Sequence, residues 1–124
     1  MSTKFALSRD VNGYNGFGLP FSDTKYSATI AASTDTTLTI GGDASMGSIA
    51  NNVNKYIAIF NYETGSQVWV AKGATAAVPA GASFASTDSE MNPSAREVSD
   101  GDVLHFFTPD TGGASVSVIV YALL

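Results

Sequence analysis

Residues 101–122, GDVLHFFTPDTGGASVSVIVYA, carry the pattern that decides the fold. Two runs rich in Val, Ile, Phe and Tyr flank a Pro/Asp/Gly cluster, and this order predicts a strand, a turn and a second strand. In the second run the valines at 116, 118 and 120 fall on one face, because side chains alternate along a strand. A long apolar strand is an aggregation hazard at an open edge, so we expect it inside a sheet or against another subunit.

The same strand–turn–strand pattern occurs twice more in the chain. Residues 25–40, KYSATIAASTDTTLTI, and residues 55–72, KYIAIFNYETGSQVWVAK, each place a short polar turn between two runs of strand-forming residues. We predict that all three units are hairpins, and that a brief edge strand lies at Arg96–Val98. With seven or eight short strands and no convincing helix, residues 25–124 are predicted to form an all-β, antiparallel β-sandwich of jelly-roll-like order.

Residues 1–24 have a different character and are predicted to form an extended N-terminal arm. The stretch is rich in glycine, which disfavours regular structure, yet it carries large apolar side chains that should not remain in water. Two interpretations stay open: the arm docks on a partner, or it covers one end of its own sandwich. The residues concerned are Tyr14, Phe17, Leu19 and Phe21.

The composition favours a surface that is covered by another protein. Only 14% of the residues are charged, against about 25% in an average domain, and 56 of the 124 residues are Ala, Ser, Thr or Gly. Such small side chains lose little rotamer entropy when they are covered. The net charge of −5 argues against nucleic acid and anionic membranes as partners. There is no cysteine and no run of membrane-spanning length, and residues 1–16 contain no apolar leader pattern, so we expect no disulfide, no cleaved secretory signal and no membrane insertion.

Two features resemble catalytic groups but are interpreted structurally. Asp110-Thr111-Gly112 matches the tripeptide around the catalytic carboxylate of retroviral-type aspartic proteases, but only twelve residues follow it, so we interpret it as a turn. His105 is the only histidine, and we predict that a backbone carbonyl satisfies it in the core or an interface. No nucleophile–base pair and no phosphate-binding loop is present, so the chain is predicted not to be an enzyme and to need no cofactor.

Acidic residues in the two loops before the last strands are the only candidates for a metal site. They lack the spacing of a calcium-binding EF-hand loop, and we predict no metal, interpreting them as turn residues with a calcium site as the open alternative. These residues are Asp88, Glu90, Asp100 and Asp102.

Three segments resemble the capsid decoration (cement) proteins of tailed bacteriophages. They are YIAIFNYETGSQVWVAKG at 56–73, VPAGASF at 78–84 and REVSDGDVLHFFT at 96–108, about half of the chain. The likeness is one of pattern, because these proteins share no short motif, and it transfers no catalytic residue. It implies a β-sandwich that forms a homotrimer, is made in the host cytoplasm, and binds the major capsid protein on the outer capsid surface of the virion.

Under this resemblance the apolar residues near the two termini become candidate contact residues. The arm residues Tyr14, Phe17, Leu19 and Phe21 would dock on the shell or on a neighbouring subunit, and Ile119, Tyr121 and Leu123 would pack between subunits. The alternative is a carbohydrate- or receptor-binding β-sandwich module, as in a phage fibre tip or a lectin. In that case Trp69 and the tyrosines would supply a platform on which a sugar stacks.

Overall fold

The described part of the chain forms ten short strands in a computed structural model. The structure describes residues 7–9, 15–17, 21–22, 25–40, 55–81, 84 and 86–122, with residues 7–9, 15–17 and 122 described by their backbone alone. In chain order the strands are β1 (Leu7–Arg9), β2 (Asn15–Phe17), β3 (Lys25–Ile30), β4 (Thr36–Thr39), β5 (Lys55–Tyr62), β6 (Trp69–Lys72), β7 (Glu90–Met91), β8 (Ala95–Ser99), β9 (Val103–Phe107) and β10 (Ala114–Ala122).

Eight of these strands form two antiparallel four-stranded sheets, so the predicted β-sandwich is confirmed. One sheet has the order β3-β10-β5-β8 and the other has the order β4-β9-β6-β7. The pairing is nested: β3 pairs with β10, β4 with β9, β5 with β8 and β6 with β7. Rolling one antiparallel ribbon into two layers produces this order.

The three predicted hairpins are wrong, although the strands themselves lie where the pattern puts them. In each unit the first strand belongs to one sheet and the second strand to the other, so the turn crosses between the layers. These turns are 31–35, 63–68 and 108–113. A five-residue segment can extend to roughly 16 Å, and packed sheets lie about 10 Å apart, so a short turn can make this crossing. The local sequence does not distinguish the two outcomes.

The core lies between the two sheets and is built by alternation along the strands. The three valines of β10 at 116, 118 and 120 are at most 3% exposed, as predicted for its buried face. Strand β10 lies between β3 and β5, which confirms that the apolar C-terminal strand is inside a sheet. Tyr56 and Phe106 are the largest of the side chains that are fully buried.

Two short stretches of the N-terminal segment pair with each other. Strands β1 and β2 form a separate two-stranded antiparallel sheet in which Leu7 is opposite Phe17. Ser22 is 5% exposed, and its hydroxyl donates a hydrogen bond to the carbonyl oxygen of Val120 at 2.6 Å. The segment that precedes the sandwich is therefore fixed to β10 at residue 22.

Candidate binding site

A cavity of about 230 Å³ opens between the β7 edge of one sheet and the β8 edge of the other. Strand β7 is only two residues long and pairs with Trp69 and Val70. The Lys72 end of β6 therefore has no partner in β7. Small-molecule pockets usually span about 300–1,000 Å³. This cavity therefore suits a single apolar side chain or a group of similar size. Its apolar lining is contributed mainly by Phe60, Val70, Val98 and Leu104.

A charged pair spans the mouth of this cavity. Arg96 on β8 binds Glu90 on β7 through two hydrogen bonds, Nε to Oε2 at 3.1 Å and Nη2 to Oε1 at 2.7 Å. The hydrogen bond from Arg96 lowers the pKa of the Glu90 carboxyl, and Glu90 in turn raises the pKa of the Arg96 guanidinium. Both side chains are exposed, so the pair adds little to stability. Its effect is to join the edges of the two sheets across the opening.

Tyr62 holds one wall of the cavity in place. Its hydroxyl donates a 2.6 Å hydrogen bond to the carbonyl oxygen of Pro93, which lines the cavity. The ring of Tyr62 is nearly parallel to that of Phe60, with 6.3 Å between the centroids. Burial raises the pKa of the Tyr62 phenol well above its usual range, so the hydroxyl remains protonated and continues to donate this bond. The wall is thus fixed before any ligand arrives.

A second apolar feature lies on the outer side of the sheet that contains β6. Trp69 is 8% exposed, and Phe84, which is 62% exposed, packs on it edge to face at 6.5 Å. Met91, 52% exposed, is opposite Trp69 across the β6–β7 pair. The indole Nε1 of Trp69 is buried and has no hydrogen-bond partner among the described residues. Because the indole is covered, it offers no face on which a sugar could stack.

His105 is satisfied by a carboxylate, so the predicted backbone carbonyl partner is wrong. Its Nδ1 lies 2.8 Å from Oδ2 of Asp35, a residue of the turn between β3 and β4. The other oxygen of Asp35 accepts a 3.0 Å hydrogen bond from the backbone N–H of Ala76. Among the described residues no hydroxyl is hydrogen-bonded to His105, so the pair has no nucleophile to activate. Asp35 instead ties the loop after β6 to the face of the sheet.

We expect Asp35→Ala to loosen this loop and to lower the free energy of unfolding by about 1–3 kcal/mol, because the buried N–H of Ala76 loses its acceptor. The measurements are urea unfolding and hydrogen exchange of the Ala76 amide, which should become faster. Asp88→Ala is the matched control: Asp88 is an exposed carboxylate before β7, and its removal should change stability by less than about 0.5 kcal/mol. Equal effects of the two variants would contradict the assigned role of Asp35.

The predicted contact residues fall into three groups. Tyr14, Leu19 and Leu123 lie outside the described residues, and Phe17 belongs to β2, which is described by its backbone alone. Phe21 is 100% exposed. On the outer face of β10, Ile119 is half-buried, whereas Tyr121 is only 7% exposed within the single chain. Tyr121 therefore offers little surface to a partner, while Phe21 offers its whole ring.

The Asp110 tripeptide has the structural role that the sequence indicated. Residues 111–112 form a turn, and Asp110 Oδ2 accepts a 2.9 Å hydrogen bond from the backbone N–H of Gln67. The Asp110 carboxylate thus connects two of the turns that cross between the sheets, 63–68 and 108–113.

Two of the four acidic loop residues, Glu90 and Asp102, are engaged by protein groups. Glu90 binds Arg96, and Asp102 accepts a 2.7 Å hydrogen bond from the backbone N–H of Ser99 while lying 3.8 Å from Lys72 Nζ. Within the described ranges, no three metal-ligating side chains are grouped so that they could hold an ion.

No helix among the described residues is long and apolar enough to cross a membrane. In comparisons with known proteins, no family model, no curated protein and no solved structure matched the chain. The sequence analysis did not find the edge cavity, because Phe60, Val98 and Leu104 have the pattern of ordinary core residues. The one available signal was the brief edge strand predicted at Arg96–Val98.

Proposed function

We propose that this chain is a virion structural protein, a decoration protein that binds the outside of a phage head and stabilises it by non-covalent contacts. The observation that carries the proposal is Phe21. Its ring is wholly exposed, although the next residue, Ser22, is buried and bonded to β10. We interpret an aromatic side chain that is exposed to water beside a fixed backbone position as a contact residue for another protein surface.

Two further features support a role in a shell. The nested strand order fits the jelly roll, a fold that viral capsid domains use, although many unrelated proteins use it as well. The acidic, weakly charged surface suits the outside of a DNA-filled shell rather than its inside. A protein that binds only the assembled shell stabilises it by mass action and needs no chemistry of its own.

The alternative, a carbohydrate- or receptor-binding module, has weaker support. Stacking on a sugar needs an exposed aromatic face. Trp69 is covered, and among the described tyrosines Tyr56 and Tyr121 are buried while Tyr26 and Tyr62 are half-buried. Phe84 is an exposed aromatic residue, and its ring packs edge to face with that of Trp69.

The test is co-sedimentation of the purified chain with emptied heads of the virus that encodes it. We expect the full chain to sediment with the heads and to raise their melting temperature, and both Phe21→Ser and a chain lacking residues 1–21 to do neither. The deletion stops at residue 21 because Ser22 is part of the folded domain. Unchanged binding by the shortened chain would remove the arm from the proposal, and failure of the full chain to bind would overturn decoration itself.

A further inference from the structure

The edge cavity between β7 and β8 is lined by core side chains that are each at most 6% exposed. Phe60, Val98 and Leu104 belong to the apolar core, and all three line the cavity. The side chains at its mouth are charged, and two of them, Arg96 and Glu90, are bound to each other. The site therefore combines an apolar interior with a charged rim, which is the anatomy of a pocket for one anchoring side chain.

The same chain carries a large apolar side chain, Phe21, that no described part of its own chain covers. The Phe21 ring is 100% exposed, so it does not occupy the cavity of its own chain. Its neighbour Ser22 is bonded to β10, and two strand spacings, about 10 Å, separate β10 from β8 in that sheet. The arm and the cavity thus lie at different places on one molecule.

We propose that the edge cavity binds Phe21 of a second copy of this chain. One phenyl ring matches a cavity of about 230 Å³, which lies below the usual size of a small-molecule pocket. Twenty residues precede Phe21, and they include further apolar side chains that can lie along the neighbouring surface once the ring is seated. Burying the ring raises the association constant roughly ten- to hundredfold.

The proposed contact is heterologous, because a residue of one copy enters a different site on the next copy. Such contacts close into a ring when the rotation between neighbouring copies allows it. The contact that closes the ring joins copies that are already linked, so it forms at a high effective concentration. The inference therefore gives a physical origin for a trimer. It places Phe21, the contact residue of the proposed function, on a neighbouring copy rather than on the shell, and an experiment without any shell distinguishes its failure from the failure of decoration.

The test uses two variants that each remove one half of the contact. Phe21→Ser removes the side chain, and Arg96→Trp fills the mouth of the cavity from its own chain. Both positions are exposed, so each variant should fold, which circular dichroism and a thermal melt check. Lys72→Trp serves as a second blocking variant. The matched control is Thr37→Trp. Thr37 is an exposed residue on β4, which is the edge opposite β7 in the sheet β4-β9-β6-β7.

Light scattering at matched concentrations measures association without any shell. We expect the unaltered chain and Thr37→Trp to associate alike, and each of the other variants to associate at least tenfold more weakly. An equimolar mixture of Phe21→Ser and Arg96→Trp should form an open heterodimer and nothing larger, because the first supplies an open cavity and the second an intact Phe21. Three results would each overturn the inference: an unaltered chain that stays monomeric, a Phe21→Ser variant that associates normally, or a mixture that associates no better than its components.

Discussion

Gly113→Ala is expected to lower the free energy of unfolding by about 2–4 kcal/mol, through strain at one turn between the sheets. Gly113 has a φ of 75°, a conformation that disfavours any residue with a Cβ, and costs such a residue about 1–2 kcal/mol. A Cβ at this position would also lie 2.5 Å from the backbone oxygen of Ile30. Because Ile30 is opposite Ala114 in the β3–β10 pair, the clash falls on a sheet ladder that cannot shift cheaply.

Gly65 supplies the matched control for this prediction. Its φ is 78°, but an added Cβ would meet nothing within 4 Å, so Gly65→Ala should cost only the backbone term of about 1–2 kcal/mol. Urea unfolding of both variants measures the difference, which isolates the close approach to Ile30. Hydrogen exchange along β3 should become faster in Gly113→Ala alone. Equal losses in the two variants would mean that the backbone of β3 moves aside without cost, which would contradict the assigned contact.

The sequence predicted the strands well because alternation is a local property. Val116, Val118 and Val120 identify a buried face without any knowledge of what covers it. The connections were predicted wrongly because a short polar turn is compatible both with a hairpin and with a crossing between layers. The choice depends on long-range pairing, such as that of β3 with β10, which no window of sequence contains.

The candidate site could not be predicted for a related reason. The edge cavity exists because β7 has two residues and β8 has five, so the two sheets do not close on each other at this side. The pairing of Asp35 with His105 joins residues 70 positions apart and is equally invisible to local patterns. Phe21 is a partial exception, because an aromatic residue in a glycine-rich segment already indicated a contact, either with a partner or with one end of its own sandwich.

Phe106→Ala and Phe21→Ala form the pair that separates folding from contact with a partner. Phe106 is fully buried on β9, and its ring meets Phe60 edge to face at 6.4 Å. Truncating a buried phenylalanine costs about 3–5 kcal/mol, from lost burial and from the cavity left behind. Because small domains have about 5–15 kcal/mol of stability in total, Phe106→Ala should unfold at a much lower urea concentration. Phe21→Ala should change the free energy of unfolding by less than about 0.5 kcal/mol, because the ring touches water on all sides.

Phe106→Ala should have the larger effect on stability, and Phe21→Ala should have the larger effect on association. Under the arm-to-cavity contact, Phe21→Ala loses association while its urea unfolding curve, recorded on the monomer at high dilution, stays that of the unaltered chain. Phe106→Ala loses association only to the extent that it unfolds, so below its unfolding transition its association should be normal. A loss of more than about 1 kcal/mol in the monomer of Phe21→Ala would mean that the ring is covered within its own chain. The wholly exposed position of Phe21 would then be wrong, and the arm would close its own sandwich, as the second interpretation of the N-terminal segment holds.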